Sequence, residues 1–179
     1  ANGESKWITG EAARADGHHW RARSCAVLTG IGTVLADDPE LNVRARATPR
    51  QPRRIVVDSQ LRTPPTAKIL QGGHTLLVHA TGSTERQAAL TRAGASILAA
   101  ADVDGRVDLV ALLATLAAEG CNEVLVEAGA TLNAAFIQGG LVDEYLLYLA
   151  PRLLDDPARG LARLPDYGSM TEPPSLHFM

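Results

Sequence analysis

Short apolar runs alternate along the chain with longer stretches in which apolar residues recur at helical spacing. Five runs have the length and apolar content of buried strands, and they lie at 25–29, 54–58, 75–79, 95–99 and 123–127. The helical pattern occupies 9–23, 85–92, 107–118 and 129–138, with Thr9 as the predicted N-cap of the first helix. This alternation predicts an α/β fold with a mostly parallel central sheet and helices on both faces.

Glycine and proline mark the boundaries between these elements. The glycine-rich segment 30–33 predicts a tight turn into a short helix, which ends before Pro39 because proline disfavours helical geometry in the preceding residue. We interpret Asp38 as an ordinary loop residue at the end of this helix. The stretch 44–53 is basic and contains two prolines, which predicts an exposed loop. A sixth apolar run at 144–149 predicts one more strand.

Composition narrows the classes of protein. A chain of 179 residues with 46% hydrophobic and 21% charged residues has the size and apolar content of one globular domain. The formal net charge of −3, with no basic block, argues against a nucleic-acid partner. No apolar run reaches transmembrane length, so we expect no membrane partner and a cytoplasmic location.

Cysteine and histidine give no sign of a metal site. Cys25 and Cys121 are the two cysteines and stand far apart in sequence, which indicates a reducing compartment. We expect both to be buried at strand ends. No metal is predicted, because zinc-ligand spacing is absent among the five histidines, His18, His19, His74, His79 and His177.

Two glycine-rich turns follow predicted strands, at 29–33 and 127–131. Ligands of open α/β sheets bind beyond the carboxyl ends of the strands, and glycine lets the backbone approach a phosphate at a helix N-terminus. The first turn departs from the dinucleotide fingerprint, since Leu35 stands where a glycine is required. The residues alone slightly favour the alternative, in which these glycines only make tight strand–helix turns.

Charged residues near these turns are candidates for ligand contacts. Arg21, Arg23 and Arg44 have the planar guanidinium that suits phosphate, although a solvated helix face explains Arg23 equally well. Glu127 ends an apolar strand, where a carboxylate is costly without a partner or a function. Ser59 follows a strand and either contacts a ligand or caps the next turn.

An ordered series of motifs connects these features to a known family. The series comprises ESKWIT at 4–9, ADDP at 36–39 with Leu41 and Arg44, RIVVDS at 54–59, VEAG at 126–129 with TL at 131–132, GLVDE at 140–144 and APRLL at 150–154. It resembles the reductase domain of the bacterial bifunctional riboflavin biosynthesis deaminase–reductase. The resemblance implies a dihydrofolate-reductase-like fold and reduction of 5-amino-6-(5-phosphoribosylamino)uracil to 5-amino-6-(5-phosphoribitylamino)uracil by NADPH.

The resemblance also implies residue roles. The residues that it assigns to the cofactor are Trp7, Thr33, Asp37, Ser59, Gly129, Ala130, Thr131, Leu132, Asn133, Ala134 and Ala135. Those that it assigns to the substrate are Ser5, Arg21, Leu41, Arg44 and Glu127, with the arginines facing the substrate phosphate. For the 2′-phosphate of NADPH we expect Ser59 and Arg62 as partners.

The sequence departs from the family pattern at its start. Family members begin with a strand that carries Lys, Ser and Asp-Gly, and this strand is absent before 4–5, so we expect 1–179 to be a reductase domain without its first strand. A deaminase domain is expected outside these residues in the full-length protein. The apolar run 145–149 suggests a homodimer contact.

Two further functions stay open. The first is a reductase of the same fold that acts on another pterin or pyrimidine. The second is a non-catalytic module that binds a nucleotide or mediates assembly.

Overall fold

The computed structural model describes residues 9–150 and 160–166. Its centre is a five-stranded sheet in the order β4-β3-β2-β1-β5, and all neighbouring strands are parallel. The strands are β1 (Ala26–Gly30), β2 (Arg53–Val57), β3 (Thr75–His79), β4 (Ala95–Ala99) and β5 (Val124–Val126). The helices are α1 (Glu11–Arg23), α2 (Ile31–Asp37), α3 (Thr84–Arg92), α4 (Leu109–Ala118) and α5 (Ala130–Gln138), with a 3-10 turn at Lys68–Leu70. The predicted parallel α/β fold is confirmed.

The two faces of the sheet are covered by different helices. Val27 and Val56 point to the face that packs against α2 and α3 through Val34 and Leu90. Neighbouring residues on the strands point to the opposite face, where α4 and α5 pack, because successive side chains of a strand alternate between faces. Strands buried on both faces read as continuous apolar runs, which is why the pattern of the sequence located them.

Helix starts differ slightly from the prediction. Thr9 was expected to cap α1, but the helix begins one residue later: Gly10 is the N-cap and offers no side chain for the bond. Asp108 and Ser83 make the side-chain caps, since Asp108 accepts from the main-chain N–H of Ala111 and Ser83 from that of Arg86. A short polar side chain is favourable at the N-cap. Because Asp108 occupies that position, α4 begins at Leu109 and not at 107 as predicted.

The prediction of a strand at 144–149 is wrong. These residues have no ladder pairing in the described part of the chain, and Leu149 is 94% exposed. A strand forms only beside a partner that accepts its hydrogen bonds. The described residues place the segment across a cleft from β5, which pairs with β1 alone in this part of the structure. The apolar run therefore indicates a propensity for strand, but among the described residues this segment has no neighbouring strand with which to pair.

No helix in 9–150 or 160–166 is long and apolar enough to cross a membrane. The same residues contain no group of three or more His, Cys, Asp or Glu side chains placed to hold a metal ion.

Candidate active site

The order of the strands reverses at β1. The chain runs outward from β1 through β2 and β3 to β4, and then returns to place β5 on the other side of β1. Because crossovers between parallel strands are right-handed, the helices after the reversal lie on the opposite face. As a result α2 leaves β1 on one face and α5 leaves β5 on the other. A crevice at the carboxyl ends of β1 and β5 follows, and such crevices bind ligands in open α/β sheets.

The two glycine-rich turns meet at this crevice. A Cβ added at Gly30 would lie 3.3 Å from Leu132 Cδ2, and one added at Gly129 would lie 3.9 Å from Thr33 Oγ1. Packing therefore explains Gly30. At Gly129 neither the φ of −81° nor a close neighbour in 9–150 or 160–166 requires glycine, so the described structure leaves the backbone open at this turn. Neither turn has a side-chain cap, which leaves main-chain N–H groups of the first helical turns for a ligand.

Buried polar atoms without a partner mark the same end of the sheet. Four such side-chain atoms occur in the described residues: Thr29 Oγ1, Asp58 Oδ1, His79 Nδ1 and His18 Nδ1. Thr29 and His79 lie at the carboxyl ends of β1 and β3, and Asp58 directly follows β2. A buried polar group without a hydrogen bond is unfavourable, and Thr29 and Asp58 are fully buried, so these atoms lie inside the fold beneath the strand ends.

A bidentate ion pair joins α1 to the end of β5. Arg21 Nε donates to Glu127 Oε1 and Arg21 Nη2 to Glu127 Oε2, each at 2.6 Å, and Nη1 donates to the carbonyl of Asn42 at 3.2 Å. The Arg21 side chain is 16% exposed. A carboxylate at the end of an apolar strand needs a partner, and for Glu127 this partner is Arg21. In this arrangement Arg21 holds a carboxylate, and phosphate would have to compete for its remaining N–H groups.

His18 is a site residue that the sequence analysis missed. It stands three residues before Arg21 on α1, so the two side chains share one helix face, and both line the cleft beside β5. Burial lowers the pKa of His18, and the nearby guanidinium groups of Arg21 and Arg44 lower it further. A neutral imidazole therefore stands beside two cations at pH 7. The helical spacing to Arg21 was the signal available in the sequence.

The loop after α2 places its predicted residues differently. The Arg44 side chain is 58% exposed, lies 4.0 Å from Glu40 and donates to Asn42 Oδ1 at 3.2 Å. Its guanidinium thus faces the mouth of the cleft. The Leu41 side chain is buried in the core, and its φ is +48°. A ligand contact of Leu41 must therefore use the main chain.

The cleft itself extends from these charges along the whole of β5. Its volume is about 680 Å³. One wall is α1 with His18 and Arg21, and the opposite wall is 141–148. Tyr148 joins the two walls, since its hydroxyl donates to Asp16 Oδ2 at 2.6 Å. Burial and this hydrogen bond raise the pKa of Tyr148 to about 12, so the link stays protonated at neutral pH.

The remaining predicted cofactor residues lie at different distances from the two turns. Thr33 faces Gly129, whereas Asp37 is exposed at the far end of α2. Ser59 is half-buried after β2, and Arg62 is exposed on the same loop. Asn133 Nδ2 donates to the carbonyl of Leu161 at 2.9 Å, which fixes 160–166 against α5. The predicted contacts Ser5 and Trp7 lie outside the described residues.

Comparison with known proteins agrees with this architecture. The family model described as the RibD C-terminal domain matches residues 1–166. The chain belongs to the RibD C-terminal domain family. The fold is therefore dihydrofolate-reductase-like, as the resemblance implied.

Individual relatives show how much of a longer protein this chain represents. The riboflavin biosynthesis protein RibD of Escherichia coli is 40% identical over 191 residues, which cover 99% of this chain and 51% of that protein. The 5-amino-6-(5-phosphoribosylamino)uracil reductase of Buchnera aphidicola is 30% identical, covering 91% of this chain and 83% of that protein. The solved structure of Acinetobacter baumannii RibD superposes with a TM-score of 0.80 at 42% identity, over 97% of this chain and 47% of that one. The chain thus spans about half the length of the RibD proteins.

The ion pair between Arg21 and Glu127 gives a stability prediction. Arg21→Ala removes both 2.6 Å contacts and leaves a partly buried carboxylate without its cation. We expect a loss of about 1.5–3 kcal/mol in the free energy of unfolding, measured with urea. The control is Arg23→Ala on the same helix, whose pair with Glu123 is exposed and is worth at most about 1 kcal/mol. A loss of about 1 kcal/mol or less in Arg21→Ala would show that the Arg21–Glu127 pair contributes no more than an exposed pair.

Proposed function

We propose that this chain carries the NADPH-dependent reduction of 5-amino-6-(5-phosphoribosylamino)uracil to 5-amino-6-(5-phosphoribitylamino)uracil in riboflavin biosynthesis. The observation that carries the proposal is the contact between the two glycine-rich turns at the carboxyl ends of β1 and β5, beside the uncapped start of α5. Membership of the RibD C-terminal domain family supplies the reaction class.

The second glycine-rich turn suits the pyrophosphate of a dinucleotide. A pyrophosphate needs main-chain N–H groups and close backbone approach, which the uncapped start of α5 and the unobstructed Gly129 supply. Thr33 Oγ1 stands opposite that turn and offers a donor. These residues, with the rest of 129–135, would hold the cofactor phosphates. When bound, the nicotinamide supplies a hydride to the carbon that was anomeric before the sugar ring opened.

The 2′-phosphate of the cofactor belongs beside β2. Ser59 and Arg62 lie on the loop that begins there, and Asp58 fixes this loop from below. Asp58 Oδ2 accepts from the main-chain N–H of Thr63 at 2.7 Å and from Thr63 Oγ1 at 2.8 Å. A fixed loop with an exposed guanidinium suits recognition of a phosphate.

The substrate binds at the end of the cleft that contains His18, Arg21 and Glu127. Arg44 is an exposed cation there, and Arg21 keeps Glu127 in place for the hydroxyl or amino groups of the substrate. His18, neutral beside two guanidinium groups, has a buried Nδ1 without a partner and adds a hydrogen-bonding group. The work of these residues is to orient the substrate and to exclude water from the reacting carbon.

The parts of the full-length protein beyond this chain are proposals as well. A length of about half that of E. coli RibD leaves room for the expected deaminase domain. The homodimer contact at 145–149 and the cytoplasmic location stay predictions.

The substrate phosphate gives the first kinetic prediction. In the full-length protein, Arg44→Ala should raise the KM for the phosphorylated substrate about 10- to 100-fold, because one charge-assisted hydrogen bond to phosphate is lost. The KM for NADPH should not change. The matched control is Arg46→Ala, in the same exposed loop, whose guanidinium contacts His19. An unchanged substrate KM in Arg44→Ala would remove the phosphate assignment.

Cofactor preference gives the second kinetic prediction. The full-length protein should use NADPH with a kcat/KM at least about tenfold above that for NADH, since a buried or paired phosphate contact contributes on the order of 1.4 kcal/mol or more. Arg62→Ala should reduce this ratio, whereas Arg92→Ala on the exposed end of α3 should leave it unchanged. Equal kcat/KM for the two nucleotides would contradict the assignment. If the protein does not bind NADPH at all, the alternative of a non-catalytic module is supported instead.

A further inference from the structure

The two cysteines, distant in sequence, meet at the amino ends of β1 and β5. Cys25 directly precedes β1, and Cys121 follows α4 at the approach to β5. The carbonyl of Glu123 accepts from the main-chain N–H of Cys25 at 3.0 Å and from Cys121 Sγ at 3.8 Å. The Cys121 thiol and the main chain of Cys25 therefore lie around one carbonyl oxygen. These are the amino ends of the strands, whereas the glycine-rich turns lie at the carboxyl ends, so the pair has no part in the proposed reduction.

Both thiols are only half-buried, contrary to the expectation of full burial. Cys25 lines a small surface pocket together with Gln51, Arg53, His74 and Ser96. A small reagent can therefore reach Cys25 from solvent without any opening of the fold. Accessibility is the first requirement for a reactive cysteine.

The surroundings of the two thiols differ. The main-chain N–H groups of Asn122 and Glu123 lower the pKa of Cys25, and the guanidinium of Arg50 lowers it further. Burial raises the pKa of Cys121. Thiolate is the nucleophilic form, so Cys25 has the character of an attacking thiol and Cys121 that of a resolving thiol beside it.

We propose that Cys25 and Cys121 form a hydroperoxide-reactive dithiol that closes to an intramolecular disulfide. The Cys25 thiolate attacks one oxygen of the hydroperoxide, the O–O bond breaks, and the other oxygen leaves as an alcohol or as water. Cys121 then attacks the Cys25 sulfenic sulfur, the S–S bond forms, and water leaves. Two thiols are oxidised by two electrons, and one hydroperoxide is reduced.

The disulfide would link the two strands between which the sheet reverses its order. The loop that it closes contains β1, β2, β3 and β4. Closing a loop of this length restricts the unfolded chain strongly, so oxidation should stabilise the fold. The active site lies at the opposite ends of these strands, so its chemistry should be preserved. The dithiol is thus a device that strengthens the sheet under oxidising conditions.

The experiment treats the full-length protein with a slight excess of hydrogen peroxide, blocks remaining thiols with iodoacetamide and maps the peptides by mass spectrometry. We expect one cross-linked peptide pair containing Cys25 and Cys121, which dithiothreitol reverses. The melting temperature of the oxidised protein should rise by roughly 5–10 °C. Both cysteines recovered as alkylated peptides after peroxide treatment would overturn the proposal.

Single variants separate the two roles. Cys121→Ser should leave a Cys25 sulfenic acid that dimedone traps, and Cys25→Ser should give neither the cross-link nor a dimedone adduct at Cys121. Circular dichroism and the reduced melting temperature check that each variant folds, with Cys25→Ala as the replacement if Cys25→Ser does not. Dimedone labelling of Cys121 in preference to Cys25 would contradict the assigned roles.

Discussion

The reversal of strand order at β1 is the constraint from which the other features follow. With β2 on one side of β1 and β5 on the other, right-handed connections send α2 and α5 to opposite faces from adjacent strand ends. The turns that begin these two helices are in contact, because a Cβ at Gly30 would lie 3.3 Å from Leu132 Cδ2. The start of α5 has no side-chain cap, and a helix start with free main-chain N–H groups is suited to holding phosphates.

Charge organises the second half of the site. Arg21 and Glu127 neutralise each other across α1 and β5, and Arg44 remains as the more exposed cation at the mouth of the cleft. The division gives the two arginines different work, although the resemblance assigned both to the substrate phosphate. Arg21 positions a carboxylate, and Arg44 is placed to meet an anion from solvent.

The sequence predicted elements well where a segment's own pattern determines its state. The three central strands β1, β2 and β3 are largely buried, which favours apolar residues at successive positions, and the edge strands β4 and β5 are also short apolar runs although they are less buried. The pattern failed where the outcome depends on a distant partner: the run 144–149 is apolar but lies across a cleft from β5, and the meeting of Cys25 with Cys121 depends on the return of β5 to β1. His18 was missed for the same reason, since only its neighbours Arg21 and Arg44 give it a chemical context. The sequence could not show whether packing requires glycine at 129, since that depends on the φ and the neighbours of this residue in the fold.

A crystal structure of the full-length protein with NADP⁺ bound would show most directly whether the crevice between β1 and β5 holds a dinucleotide by its phosphates. This mode of binding predicts that pyrophosphate oxygens lie within hydrogen-bonding distance, about 3 Å, of main-chain N–H groups in 129–135, with the nicotinamide directed toward Glu127. A dinucleotide bound elsewhere, or one whose pyrophosphate does not contact the start of α5, would contradict it.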